Sequence, residues 1–441
     1  MVAPLKAGLA GLGTVGSAVV RLIERQRDLI AARCGRPIEV VAVAARSPDK
    51  QRDLGMARLR FVDDPVALAG DRDIDVFVEL MGGDGDPAKR CVETALAAGK
   101  SVVTANKALL ARHGMALAAL AEQNGVALNF EAAIGGAIPV VKILREGLAG
   151  NPVGRVYGIL NGTCNYILTR MEEEKLGFAE CLKDAQRLGY AEADPAFDIE
   201  GFDTAQKLAL LSSLAFGTRV NTDAVFVEGI SSITPEDLDA AGGLGYRVKL
   251  LGVAMRTAHG VEQRVHPTMV PKETAIAQVM GVTNAVSIDA HGLAPITLVG
   301  PGAGGEATAS AVVADLGDVA RGVRVAPFGR RSNALAECRR TPMQRHEGGY
   351  YIRLLALDRP GTFAAIARHL ADEKISLESI VQRHKGDRPH GGDDPTSPAT
   401  PAPVILITYA TAEDAVRRAL NAIKNQGLIA GQPQVIRIEK N

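Results

Sequence analysis

Three groups of residues in this 441-residue chain have the types and spacing that chemistry needs. The first is Gly11-Leu12-Gly13-Thr14-Val15-Gly16, which follows the apolar run Leu5–Ala10 and opens a helical pattern with Val15, Val19, Leu22 and Ile23 on one side. Between a strand and a helix these glycines have separate physical uses. Gly11 permits the tight turn, Gly13 lets main chain approach a pyrophosphate, and Gly16 lets helix and strand pack closely. The helix start at Thr14 and Val15 then turns unpaired N–H groups toward the phosphates. The chemistry is dinucleotide binding. Which dinucleotide turns on the end of the second strand, where Ile38–Ala45 runs into Arg46 and Ser47, with Lys50 nearby. No carboxylate stands there to accept from a ribose 2′-OH, whereas a guanidinium suits a 2′-phosphate. The expectation is NADP(H) preferred over NAD(H) through Arg46, against a plain solvated loop arginine.

The second group, Asn106-Lys107, stands at the carboxyl end of the strand Ser101–Ala105, the edge where open α/β sheets bind ligands. The third is the acid-rich run Gly189-Tyr190-Ala191-Glu192-Ala193-Asp194-Pro195, then Asp198, Asp203 and Lys207. Asp203 and Lys207 are four apart at a helix start and share a face. Their spacing fits a solvated ion pair worth about 0.3–0.5 kcal/mol. It equally fits an orienting acid beside a proton-transferring amine, because Lys207 leads into the apolar Leu208–Leu211. Cys164 in the NGTCNY string raises a rival, thiol-based aldehyde chemistry. That route needs an activating base, no histidine adjoins it, and a small packed residue is the simpler reading.

The elements that must position these groups follow from the hydrophobic pattern. Leu5–Ala10, Ile38–Ala45, Asp75–Leu80, Ser101–Ala105 and Val126–Phe130 are apolar runs alternating with helical stretches such as Ala88–Ala98, which predicts βαβ units and a parallel sheet. From about Gly135 the pattern changes, with strands expected at Val156–Leu160, Val261–Val265 and Ala285–Asp289 and helices at Glu180–Leu188 and Thr204–Ala215. A second glycine-rich turn, Gly300–Gly305, precedes a small-residue helix that could return to the first sheet. The last segment reads strand, helix, strand, strand, helix, strand, a ferredoxin-like βαββαβ unit. The domain expectation is α/β throughout: a Rossmann-type dinucleotide domain over 1–134 with 300–322 returning to it, an α+β catalytic and dimerisation domain over 135–299, a linker at 323–346, and a ferredoxin-like domain over 347–441 with a mobile insert at 385–402.

Composition narrows the function. Fifty basic and fifty acidic residues cancel, so no field favours nucleic acid or an anionic membrane as partner. No apolar stretch approaches a membrane span, and the N-terminus lacks the succession of a signal peptide. Five scattered cysteines without a CxxC argue against a disulfide framework or zinc site and fit a reducing cytoplasm.

The strings AGLGTVG (10–16), DVFVELMGG (75–83), VVTANKALLA (102–111), FEAAIGGAIPV (130–140), GILNGTCNYIL (158–168), GYAEADPAFDIEGFDTAQKLALL (189–211) and GPGAGGEATASAVVAD (300–315) are collinear. Together they resemble homoserine dehydrogenase in the form with a C-terminal ACT domain. The resemblance implies NAD(P)-dependent interconversion of L-homoserine and L-aspartate 4-semialdehyde, on the route to threonine, methionine and isoleucine. Carried over by motif, Lys207 looks like the proton-transfer lysine, Asp203 the acid beside it, and Lys107 the second lysine near nicotinamide and substrate. Glu192 looks like the residue that holds the substrate's amino group, with Gly162, Thr163, Tyr190 and Asp198 as further contacts. Gly302 and Gly304 fall on the cofactor side. Glu131, Ile134, Gly136 and Ile138 fall where the family binds a monovalent cation, usually Na+, largely through main-chain oxygens. The turn Leu357–Phe363 resembles that of an ACT domain, which implies feedback inhibition by L-threonine; a domain that only joins subunits is the alternative. A homo-oligomer, dimer or tetramer, is expected.

Overall fold

A computed structural model describes residues 2–47, 59–339, 341–343, 346–382 and 401–439. The N-terminal layer is a parallel sheet of β1 (Leu5–Ala10), β2 (Ile38–Ala44), β3 (Arg60–Phe61), β4 (Val76–Glu79), β5 (Ser101–Thr104) and β6 (Leu128–Asn129), in the order β3-β2-β1-β4-β5-β6. Its central strands are mostly apolar on both faces because both are covered. Leu9, Val43, Val78 and Val103 face one core with Val19 and Leu316, while Ala44, Phe77 and Val102 face another with Leu96, Leu109 and Leu117. Strand order reverses between β1 and β4, and the glycine turn leaves β1 at that crevice. The helix Gly305–Ala320 does return here. Its small residues allow close approach, and a Cβ added at Gly305 would lie 3.1 Å from Thr14 Cγ2.

The second layer is a mixed sheet. It comprises β7 (Val153–Ile159), β8 (Phe226–Val227), β9 (Tyr246–Thr257), β10 (Gly260–Pro271), β11 (Thr283–Ala290), β12 (Ile296–Pro301), β13 (Glu347–Leu357), β14 (Leu377–Gln382), β15 (Pro401–Thr408), β16 (Thr411–Ala412) and β17 (Gln434–Ile438). The main order is β12-β11-β7-β9-β10-β17-β13-β15-β14. Strands expected at 156–160, 261–265 and 285–289 are present as β7, β10 and β11, whereas β9 and β12 were not anticipated. The last four main strands, with helices Thr362–Asp372 and Glu413–Asn425, have the ferredoxin-like order β17-β13-β15-β14.

Two boundaries differ from expectation. The insert expected at 385–402 ends earlier, since Pro401 and Ala402 pair with Leu357 and Ala356 in β15; residues 385–400 lie outside the described residues, as does Lys50. The expected linker 323–346 is anchored at intervals: Phe328, Leu335 and Met343 are buried, and Ala336 bridges to Thr218, while residues such as Arg324, Arg331 and Glu337 between them are exposed. Nor does the C-terminal unit stand apart, because β17 pairs in parallel with β10 through Thr268–Arg437 and Met269–Ile438. No described helix is long and apolar enough to cross a membrane.

Candidate active site

At the carboxyl edge of the parallel sheet, Gly11, Gly13, Ala45, Arg46, Leu80 and Gly82 help line a cavity of about 460 Å3. Gly11 has φ +103°, and a Cβ there would come 2.4 Å from the Leu80 carbonyl oxygen; one at Gly16 would come 2.1 Å from the Gly11 oxygen. At Gly13 a Cβ meets nothing within 4 Å, so the turn leaves open space where a pyrophosphate needs it. The helix Thr14–Arg25 starts here, with Gly13 as its cap and no side chain occupying the cap position. Across the sheet edge, a Cβ on Gly302 would overlap the Asn284 side chain, and the backbone of Gly136 (φ +56°) lies against that of Gly302. Gly304, φ +109°, opens the returning helix.

Beyond that cavity three charged side chains meet. Lys107 begins the helix Lys107–Gln123, whose cap is Asn106; the Asn106 side chain accepts from the Leu109 N–H and donates to the Gly83 carbonyl at 2.7 Å. This ties the lysine to the loop that lines the cavity. An ammonium at a helix N-terminus is electrostatically misplaced unless something offsets it. Asp203 does so, its Oδ1 lying 3.1 Å from Lys107 Nζ. The other oxygen of Asp203 accepts from Lys207 Nζ at 2.8 Å, and Lys207 also donates to the Leu160 carbonyl at 2.7 Å. Asp203 and Lys207 lie in the first turns of the helix Phe202–Phe216 and are 5% and 8% exposed, so the solvated-pair reading is excluded. Burial would raise the Asp203 carboxyl, but the two ammoniums outweigh it and hold the group at about 2.

The remaining substrate-side residues divide. Asn161 Nδ2 donates to Asp198 Oδ1 at 2.8 Å and to Asp203 Oδ2 at 3.0 Å, joining the two acids. Burial first, and the Asp203 charge second, push the Asp198 carboxyl upward. Gly162 starts the helix Gly162–Glu174, and Thr163 Oγ1 donates to the Tyr190 carbonyl at 2.6 Å. The Tyr190 ring packs edge-on to Tyr166 at 5.0 Å. Glu192 is on an exposed turn where its carbonyl accepts from Gln186; among the described residues no hydrogen bond joins its carboxylate to the lysine cluster. Cys164 is fully buried, donates to the Asp198 carbonyl, and burial raises its thiol well above the ordinary value, which disfavours a thiolate nucleophile.

Glu131 lies in a buried bend before Ile134, Gly136 and Ile138. Its carboxylate accepts from the Val141 and Lys142 N–H groups at 2.8 and 2.9 Å, and its own N–H donates to Asp315. Burial, then the neighbouring Asp315, pushes the Glu131 carboxyl up to about 7, and burial takes Asp315 to about 6. Among the described residues no group of three or more His, Cys, Asp or Glu could hold a metal ion.

Comparison with known proteins fits this arrangement. Family models described as "Homoserine dehydrogenase, NAD binding domain" and "Homoserine dehydrogenase" match residues 11–131 and 139–316. A homoserine dehydrogenase of Neisseria gonorrhoeae is 42% identical over 99% of both chains. The chain belongs to the homoserine dehydrogenase family. Among solved structures, a homoserine dehydrogenase from Thiobacillus denitrificans matches with TM-score 0.91 and 43% identity over 99% of each chain. A hyperthermophilic archaeal homoserine dehydrogenase in complex with NADPH matches at TM-score 0.61 and 25% identity, covering 72% of this chain and 97% of its own. As a member of the homoserine dehydrogenase family the protein is an oxidoreductase with an NAD-binding domain.

Two residues of the candidate site carried little signal in the sequence reading. Asn161 precedes a helix that was not expected, so nothing marked it as a cap. Its side-chain oxygen accepts from the Cys164 N–H while its nitrogen holds the acids. Glu79, fully buried at the end of β4, accepts from Thr104 and from the N–H groups of Met81 and Gly82, and so shapes the cavity loop. Its place at the end of an apolar strand was the available signal.

Proposed function

We propose that this enzyme interconverts L-homoserine and L-aspartate 4-semialdehyde with Lys207 as the proton-transfer group. The convergence of Lys107 and Lys207 on one buried carboxylate, beside the cavity of the glycine turn, carries this reading. A dinucleotide in that cavity supplies or accepts the hydride; the open space over Gly13 fits its pyrophosphate. Two of the three Lys207 donor positions are met by Asp203 and Leu160, and the third serves the substrate oxygen. In oxidation that amine takes the hydroxyl proton; in reduction the ammonium returns it to the developing alkoxide. Lys107 stabilises negative charge on the same oxygen, and Asp203 sets the direction of both ammoniums. Glu192, with Asp198, Gly162, Thr163 and Tyr190 around the same loops, would receive the substrate's amino acid end.

Arg46, lining the cavity, supports NADP(H) over NAD(H); Asp63 lines it too and is the residue an NAD reading would invoke. Family resemblance supports a monovalent cation, Na+, at the Glu131–Ile138 bend through main-chain oxygens, where it would steady the turn lying against Gly302, while the Glu131 carboxylate itself is taken up by the Val141 and Lys142 N–H groups. The ferredoxin-like order and Gly361, φ +88° at the cap of Thr362–Asp372, support an ACT-type unit with L-threonine as effector. Exposed Val299 on β12 and Ile380 on β14, the two outermost strands among the described residues, support a homo-oligomer. A cytoplasmic location accords with five free cysteines. The test is homoserine oxidation followed by nicotinamide absorbance with NADP and NAD compared, in the wild type and in Arg46→Ala, with and without threonine. Turnover of homoserine is expected, with the NADP advantage lost in Arg46→Ala; no turnover with either dinucleotide would end the reading.

A further inference from the structure

At the carboxyl end of the catalytic helix Phe202–Phe216, away from the lysine pair at its start, a cavity of about 350 Å3 opens, a size that suits a small ligand. Arg145, Arg256 and Arg330 line it, and among the described residues no aspartate or glutamate does. Each arginine is held by a definite contact. Arg256 Nη2 donates to the Phe216 carbonyl at 2.9 Å, with the guanidinium 5.4 Å from the Phe216 ring centre. Arg330 lies over Gly217, where an added Cβ would come 2.8 Å from its Cζ. Arg145 packs against Gly329, and its Nε and Nη2 both donate to one oxygen of Glu146, at 3.0 and 2.7 Å.

The remaining nitrogen of Arg145 is the decisive observation. Its side chain is 2% exposed, and Nη1 is buried with no hydrogen-bond partner among the described residues. A buried charged donor left unmet is costly, so an acceptor that a small turn of the guanidinium could reach from the cavity would be favoured. Glu146 offsets one of three positive charges and the carboxyl end of the helix part of another, which leaves a net positive excess beside the cavity. A phosphate group complements that excess at neutral pH, and planar guanidiniums match its oxygens in pairs.

We propose that this cavity binds a small phosphate-bearing anion, independently of the catalytic site. The ligand would bridge the end of the catalytic helix to the segment Phe328–Arg330, which continues into the bridge between Ala336 and Thr218. Its effect is on stability before chemistry.

The experiment uses the full chain at constant ionic strength with dinucleotide saturating, so that phosphate cannot report the glycine turn. Melting temperature and calorimetric heat are read against inorganic phosphate, glycerol 3-phosphate, acetate and chloride. A saturable rise of a few degrees is expected with a phosphate probe and not with acetate or chloride. Inorganic phosphate acting alone assigns a free anion; action confined to glycerol 3-phosphate assigns a phosphomonoester. Arg330→Ala and Arg256→Ala, at exposed positions that folding tolerates, are each expected to weaken binding about tenfold, the loss of one charge-assisted contact. An equal rise in these variants, no rise beyond chloride, or acetate matching phosphate would each overturn the proposal.

Discussion

Asp203 accepts from both lysines, so its charge governs what each amine can do. Because the folded carboxyl sits near 2 against an ordinary 3.8, its contribution to stability is complete above about pH 4 and is lost as pH falls toward 2. In Asp203→Asn the loss of denaturant midpoint between pH 4 and 2 should be shallower than in wild type. Lys207→Ala and Lys107→Ala should each lower kcat by about 10²–10⁴ while dinucleotide affinity, read by titration, stays near wild type. Normal kcat in either would remove that amine from the reaction. Asn161→Ala should lower kcat about tenfold by letting both acids turn, with a smaller change in KM. At this scale the Asp203–Lys207 spacing was legible because a helix puts i and i+4 on one face. Lys107 meets the pair only through tertiary packing, which no local spacing encodes.

Five of the six strands of the parallel sheet were legible because strands covered on both faces are largely apolar, whereas the two-residue β3, Arg60–Phe61, carries no such run. The long strand β9 was not, since Val248–Met255 combines an apolar run with Lys249 and Gly252 and suits helix or strand alike. Lys249 proves to be 1% exposed, its ammonium donating to the Val279 carbonyl at 2.6 Å and to Asn165 Oδ1 at 3.0 Å. Burial lowers it to about 8 from 10.5. A depressed lysine binds its proton less firmly folded than unfolded, so the stability it contributes rises from about pH 8 to 10.5 and is absent below. Urea midpoints should therefore show an alkaline gain of about 1–3 kcal/mol in wild type that Lys249→Met lacks. Identical pH slopes would place that proton elsewhere.

Across the molecule, the C-terminal unit is fastened to the catalytic part by charge as well as by strand pairing. Arg437 of β17, 2% exposed, donates to Glu413 at 2.6 and 3.1 Å and to Glu228. Glu228 adjoins Gly229, where a Cβ would collide with the Ile199 carbonyl at 2.5 Å, just ahead of the helix Phe202–Phe216. Glu413→Ala strips the buried guanidinium of a partner and should cost about 3–5 kcal/mol by chemical denaturation. Calorimetry should show one shared unfolding transition for both parts, and two resolved peaks would contradict it. The βαββαβ order was readable from its strands and helices, but its fusion to the larger sheet was not. The two paired residues on each side that make the join carry no distinctive pattern.

That join also bears on what proteolysis would leave behind. Stripped of β17, the flank of β10 at Thr268 and Met269 would become a raw border with unpaired amides and carbonyls beside a greasy methionine. Such a border recruits whatever extended chain drifts by, first of all a sibling fragment in the same condition. A nicked enzyme would thus be lost to clumping while Lys107, Asp203 and Lys207 were still in place.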